Sequence, residues 1–141
     1  MLTATEPILS QELLDACRER APIYDRENRF FQEDFDALKA AGYLQMAVPK
    51  DLGGLGMSLA QVARETRRLA EYAPATALGL NMHNYWVGLV ADTWRAGDKS
   101  NEWLLREAAA GEIFAAGHAE HGNDIPVLLS VDEGRKSRRR L

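Results

Sequence analysis

The fold is decided by one stretch of the chain, residues 41–58, which has the sequence AGYLQMAVPKDLGGLGMS. Glycine and proline interrupt regular helices, so we expect a loop from Tyr43 to Met57. Gly42 is a typical left-handed end for a preceding helix. Ser58 begins the next helix, because Gln61 lies three residues further on, at the spacing of a capping box.

Helices are predicted on both sides of this loop. Before it, a helix capped by Ser10 is kinked or ended by Pro22, and a second helix runs from about Phe31 to Ala41. After it, the helix that begins at Ser58 divides into two faces. Its predicted apolar face consists of Leu59, Val62, Ala63, Thr66, Leu69 and Ala70. Its predicted polar face consists of Arg64, Glu65, Arg67, Arg68 and Glu71.

The longest stretch without Asp, Glu, Lys or Arg runs from Tyr72 to Ala91. Its proline, asparagines and histidine are costly in hydrocarbon, so we expect a buried helix over 75–96 and no membrane span. The apolar residues of that helix lie on all sides: Leu78, Met82, Tyr85 and Leu89 on one, and Leu80, Val87, Ala91 and Trp94 on the other. A helix that is apolar all round is expected to be packed all round. A shorter helix from Ser100 to Ala110 ends at Gly111.

The hydrophobic period changes after Gly111. Residues from Ile113 to Ala119 and from Val127 to Val131 alternate in the manner of strands, and two strands alone are marginally stable in water. We therefore predict a mainly α protein in three parts. These are an α-helical N-terminal domain over 1–111, the incomplete start of a β domain over 112–131, and a disordered basic tail over 132–141.

Charge and cysteine content limit the function classes. The net charge is −4, but residues 135–141 alone carry +5 and the rest of the chain carries −9. An acidic body disfavours nucleic acid as a partner. The single cysteine, Cys17, cannot form an intrachain disulfide, and the first residues show no pattern typical of a secretory signal. Both observations favour the cytoplasm.

Three polar or glycine-rich features are candidates for chemistry. Gly53, Gly54 and Gly56 do not have the spacing of a dinucleotide or P-loop motif, which favours a structural turn. Residues 118–124 contain two histidines and two acids, but their spacing matches no zinc motif, so no metal site is predicted. His83 lies on the apolar helix, where a hydrogen-bonded core histidine is the usual alternative to a functional one. No activated nucleophile is recognisable.

Taken together, these features resemble the acyl-CoA dehydrogenase family of flavoproteins. The resemblance rests on Ala41-Gly42-Tyr43-Leu44, on the run from Val48 to Ser58, on the following helix with its internal Glu65, and on Ala110-Gly111-Glu112 leading into Phe114 to Asp124. It implies an N-terminal helical bundle followed by a β domain. It also implies FAD as cofactor and an acyl-CoA substrate that is dehydrogenated between its α and β carbons.

The resemblance also implies site residues. The family's flavin-contacting loop, Thr-Glu-Pro-x-x-Gly-Ser-Asp, corresponds here to Ala119, Glu120, His121, Gly122, Asn123 and Asp124. Ala119 and His121 replace the family's threonine and proline, and Asn123 replaces its serine, which puts ordinary fatty acyl-CoA specificity in question. His83, Asn84 and Asn123 are the predicted substrate-pocket residues. The family's catalytic carboxylate lies beyond the last residue of this sequence, so the chain is expected to be a truncated form that is not competent alone.

Two other readings of the sequence remain open. The apolar helix over 75–96 suits a non-enzymatic interaction protein, or a homo-oligomer that associates through this helix. His118, His121 and Asp124 suit a small metal protein, which predicts stoichiometric metal after purification.

Overall fold

The computed structural model describes residues 7–115 and is mainly helical, as the sequence predicts. In this part of the chain the helices are α1 (Gln11–Glu27), α2 (Gln32–Ala40), α3 (Leu59–Ala70), α4 (Pro74–Arg95) and α5 (Glu102–Ala110). Two short 3-10 turns, Tyr43–Gln45 and Lys50–Leu52, lie in the loop between α2 and α3. Residues 112–115 have no regular secondary structure, and the rest of the predicted β segment and the basic tail lie outside the described residues.

The helix boundaries follow from local signals. The Ser10 hydroxyl accepts a hydrogen bond from the Leu13 N–H at 3.2 Å, which caps α1. Ser58 and Gln61 form the predicted capping box, in which the Ser58 N–H donates to Gln61 Oε1 at 2.8 Å. Gly42 has a φ of +82°, the left-handed conformation expected after α2.

The sequence predicts that Pro22 ends or kinks the first helix. The first alternative is wrong, because α1 continues past Pro22 to Glu27. A proline inside a helix removes one backbone hydrogen bond, and contacts beyond it offset this cost. Tyr24 is buried, and its hydroxyl lies 3.2 Å from a Glu33 oxygen and 3.3 Å from an Asp34 oxygen, so its single hydrogen is shared between the two carboxylates. These bonds hold the last turns of α1 against α2.

All five helices contribute to the core, and the loop over 43–57 adds Tyr43, Leu44, Met46 and Val48, which are buried. Gly54 packs directly on the backbone carbonyl and side chain of Val48, so closely that a Cβ atom has no room there. The loop therefore closes only with glycine at this position.

The predicted faces of α3 are wrong at three positions. Leu59, which is 73% exposed, and Ala63, which is also exposed, belong to the predicted apolar face. Leu59 stands in the first turn of α3, at the edge of the core. Glu65 is 4% exposed although it was placed on the polar face. Its carboxylate pairs with Arg68 at 2.9 Å and accepts the Leu9 N–H at 3.3 Å, while Arg68 donates to the Leu9 carbonyl at 3.0 Å. The pair thus binds both backbone polar groups of one residue, Leu9, which compensates the buried charge.

The prediction that α4 is packed on every side is also wrong within residues 7–115. Leu80, Val87 and Ala91 are buried against the core, as expected. Leu78, Met82, Tyr85 and Leu89 are exposed, and together they form the surface that we call the outer face of α4. Hydropathy alone does not distinguish the two sides, since packing depends on which other elements reach the helix. No helix of the described part is long and apolar enough to cross a membrane.

Candidate functional site

His83, one of the predicted pocket residues, is almost fully buried on the inner side of α4. Its Nε2 lies 2.8 Å from the Leu44 carbonyl oxygen, and its Nδ1 accepts the Phe114 N–H at 3.2 Å. Burial lowers the pKa of His83 from its usual value of 6.5, and the hydrogen bond to Leu44 opposes that shift. Both ring nitrogens are thus satisfied by backbone groups, as in a hydrogen-bonded core histidine.

Phe114 fastens the segment that follows α5 to this histidine. Its ring lies parallel to the imidazole, with 6.2 Å between the centroids and an interplanar angle of 20°. It also meets Trp103 edge-on, with 6.0 Å between the ring centroids. The chain thus leaves the helical bundle between α4 and α5, held by one hydrogen bond and two ring contacts.

Asn84, the second predicted pocket residue, lies on a different side of α4 from His83. It is 7% exposed and forms part of the floor of a groove between α3 and α4 of about 390 Å³. Its side chain lies beside the Tyr43 hydroxyl, which itself donates to Thr66 at 3.2 Å. Within residues 7–115, the Nδ2 atom of Asn84 has no hydrogen bond of acceptable geometry.

The groove continues along α4 toward Arg95. Gly88, one helical turn after Asn84, has nothing within 4 Å of where a Cβ atom would lie. At the far end, Arg95 donates to the carbonyls of Ala47 and Met57 at 3.0 and 3.2 Å and so closes the groove with backbone contacts. The surface of the groove is mainly apolar. The polar residues that line it are Thr66, Arg67, Asn81, Asn84, Tyr85, Asp92 and Arg95.

A second buried carboxylate that sequence analysis missed joins α1, α2 and α4. Asp34 is fully buried and accepts hydrogen bonds from Arg20 at 2.6 Å, Tyr24 at 3.3 Å and Thr76 at 3.4 Å. The neighbouring Cys17 is also fully buried, and burial, together with the Asp34 charge, raises the pKa of its thiol to about 11. A protonated buried thiol is a packing residue rather than a nucleophile.

These buried acids left a weak signal in the sequence. Glu65 precedes Arg68 by three positions, a spacing that brings the two side chains together on a helix. Asp34 has its arginine fourteen residues away, on another helix, so no local pattern indicates it. The carboxylates of Glu65 and Asp34 are both fully partnered, because each pairs with an arginine and accepts further hydrogen bonds.

Other predicted site residues lie outside the structure described here. The residues expected to contact a flavin are Ala119, Glu120, His121, Gly122 and Asn123, and all of them, together with Asp124, fall beyond residue 115. Among residues 7–115, no group of three or more His, Cys, Asp or Glu side chains could hold a metal ion. What the structure brings together is His83, Phe114 and Trp103 on one side of α4 and Asn84 with the groove on another.

Curated relatives are nitrososynthases. The chain is 34% identical to the amino sugar nitrososynthase DnmZ of Streptomyces peucetius. The alignment of 137 residues covers 88% of this chain and 34% of that protein. It is 33% identical to the amino sugar nitrososynthase RubN8 of Streptomyces rubradiris, over 86% of this chain and 30% of that protein. It is 29% identical to the L-evernosamine nitrososynthase of a Micromonospora species, over 94% of this chain and 31% of that protein.

The chain therefore spans about a third of the length of the curated relatives that it matches. No solved structure gives a significant match. Residues 9–112, which include every helix described above, match the family described as "Acyl-CoA dehydrogenase, N-terminal domain". The resemblance drawn from the loop over 41–58 is thereby confirmed, and the chain belongs to the acyl-CoA dehydrogenase family.

Proposed function

We propose that this chain is the N-terminal helical domain of a flavin-dependent oxidoreductase that oxidises the amino group of an amino sugar. The observation that carries the proposal is the pairing of two matches: the family match over residues 9–112, and the named nitrososynthases that align with most of the chain. Conversion of an amine to a nitroso group removes four electrons from nitrogen. Redox chemistry of this kind is supplied by a cofactor rather than by side chains.

The acyl-CoA substrate implied by the family resemblance is the second candidate. It is favoured by the family match alone, whereas the amino sugar is favoured by the relatives' names. The predicted flavin loop also supports the amino sugar, because Ala119 and His121 stand where the family pattern has threonine and proline. The threonine hydroxyl of the family pattern is absent at Ala119, which suits a substrate other than a fatty acyl thioester.

FAD is the cofactor that we propose, and the electron transfer it supplies when bound is the redox step. The residues proposed to contact it, Ala119 to Asn123, follow Phe114 by five to nine positions. The described part supports this assignment in one respect. The chain is fixed at Phe114, beside α4, and so enters the proposed contact loop from a defined place.

Within this proposal, the helical domain contributes shape rather than reacting groups. Its buried histidine, thiol and carboxylates are all occupied by internal contacts. The outer face of α4 offers exposed apolar side chains for contact with another surface, either the rest of the protein or a second copy. The free buried Cys17 suits the cytoplasm as location.

Two chimeras test the proposal. In the first, this chain replaces the matching segment of the DnmZ nitrososynthase; in the second, it replaces the N-terminal domain of an acyl-CoA dehydrogenase. We expect the first chimera to keep nitrososynthase activity when supplied with FAD, a reductant and dioxygen, and the second to lose dehydrogenation of its acyl-CoA.

The reverse pattern would favour the acyl-CoA substrate. A first chimera that folds and binds flavin but forms no nitroso product would overturn the amino sugar proposal. The unmodified chain, incubated with FAD and either substrate, is the control and is expected to show no turnover.

A further inference from the structure

We propose that His83 is a positioning residue: its unprotonated Nδ1 fixes the place at which the chain leaves the helical domain, by holding the Phe114 N–H. The inference rests on the proposed function only because the residues after Phe114 include those proposed to contact the flavin. The anchoring itself is a property of residues within 7–115.

The two partners determine the tautomer of the ring. The Leu44 carbonyl can only accept a hydrogen bond, so Nε2 carries the hydrogen and donates it at 2.8 Å. The Phe114 N–H can only donate, so Nδ1 presents its lone pair at 3.2 Å. Only the neutral Nε2–H form satisfies both partners. A histidine at this position therefore acts as a donor to the loop and an acceptor to the exit segment.

Protonation is incompatible with this arrangement. A hydrogen on Nδ1 would face the hydrogen of the Phe114 N–H, which replaces an attractive contact with a repulsive one. The groups that meet the ring from α4, the 43–45 turn and the exit segment are the Leu44 carbonyl and the Phe114 amide and ring, which are uncharged. Within the described residues, the pKa of His83 is moved by burial and by the Leu44 carbonyl, and no charged side chain contributes.

Two near-isosteric variants separate the two hydrogen bonds. His83→Asn keeps an acceptor near the position of Nδ1 and loses the donor to Leu44. His83→Gln keeps a donor near the position of Nε2 and loses the acceptor for Phe114. We expect the Phe114 amide to exchange with deuterium about fivefold to tenfold faster in His83→Gln than in the unaltered chain, and close to the normal rate in His83→Asn.

The amide of Ala73, which donates to the Leu69 carbonyl at 2.8 Å and contacts neither partner of His83, serves as an internal reference for general loosening. Equal acceleration of the Phe114 amide in both variants, in step with that reference, would show that His83 acts only by packing and would overturn the proposal. Should a variant fail to fold, the ring nitrogen shifts of the unaltered chain decide instead. A spectrum showing hydrogen on Nδ1 at neutral pH would contradict the proposed role.

A pH series on the unaltered chain gives a signature that packing alone would not produce. We expect exchange at Phe114, corrected for its intrinsic pH dependence, to accelerate as His83 becomes protonated, and we expect His83→Asn to lack this step. Trp103 fluorescence should change in parallel, because its ring touches Phe114. Absence of the step in the unaltered chain would overturn the proposal. FAD titration of the first chimera is a separate measurement: failure of that chimera to bind flavin counts against the proposed cofactor and leaves the exchange data to judge His83.

Discussion

The two sides of α4 have similar hydropathy, but one side is buried in the core and the other is exposed. The inner side buries Leu80, Val87 and Ala91 and satisfies His83 with two backbone groups. The outer face leaves Leu78 75% exposed and Tyr85 56% exposed. The apolar composition of a helix therefore indicates that its surface tends to be buried. It does not indicate which elements bury that surface, because those depend on other parts of the protein.

The largest effect is expected where the inner side is truncated. Leu80→Ala should lower the free energy of unfolding by about 3 kcal/mol, because it removes buried methyl groups and leaves a cavity. Leu78→Ala, two residues away on the outer face, is the matched control and should change it by less than about 0.5 kcal/mol. Urea unfolding measures both. Equal losses would mean that the outer face is covered in solution.

A smaller effect is expected from pH. The folded-state pKa of His83 lies below its usual value of 6.5, so the folded chain binds fewer protons than the unfolded chain. The stabilising contribution of neutral His83 is complete above the usual value of 6.5, and it is lost as pH falls from there through the lower pKa of the folded chain. Unfolding measured between about pH 7 and pH 5 should show a steeper loss in the unaltered chain than in His83→Gln, which cannot be protonated. Parallel curves would contradict the buried neutral state.

A still smaller effect is expected at Asn84, between the two sides. Because its Nδ2 has no hydrogen bond within residues 7–115, Asn84→Leu should change the free energy of unfolding by less than about 1 kcal/mol. Asn84→Asp is the contrasting variant and should cost more, since it places a charged carboxylate on a buried floor that is lined mainly by apolar surface. Thermal unfolding compares the two. A large loss with leucine would mean that the amide is already satisfied.

The smallest effect on folding is expected at the outer face itself. Leu78→Glu should leave the unfolding midpoint unchanged, because the side chain lies mostly in water. If the outer face associates with another copy, the same change should weaken self-association in sedimentation velocity at high concentration. An unaltered chain that stays monomeric and binds no hydrophobic dye would argue against such association.

Local signals in the sequence predicted the helices well. Gly42 and the Ser58–Gln61 pair act within one turn of the chain, so their conformations were predictable from spacing alone. The burial of Glu65 depends on Leu9, and the exposure of Leu59 depends on where the core ends, so neither follows from the spacing within α3.

The candidate site was less predictable than the fold. His83 was recognised as a pocket or core residue, but its bond to Phe114 joins positions 31 residues apart and has no sequence signature. Asn84 was placed in a pocket, and the structure puts it on the floor of the α3–α4 groove. Its role toward a substrate, like that of His83 and Asn123, stays a prediction.

The reactivity of Cys17 can be used to measure how often the helices around it separate. Cys17 is the single thiol of the sequence, it is fully buried, and its raised pKa keeps it protonated at neutral pH. A thiol reagent can therefore react only after α1 separates from α2, so the labelling rate follows the opening of this junction without any added dye or mutation. Because Cys17 is fully buried, a modified side chain has no room to return to its place, and each labelling event therefore traps one molecule in the opened form.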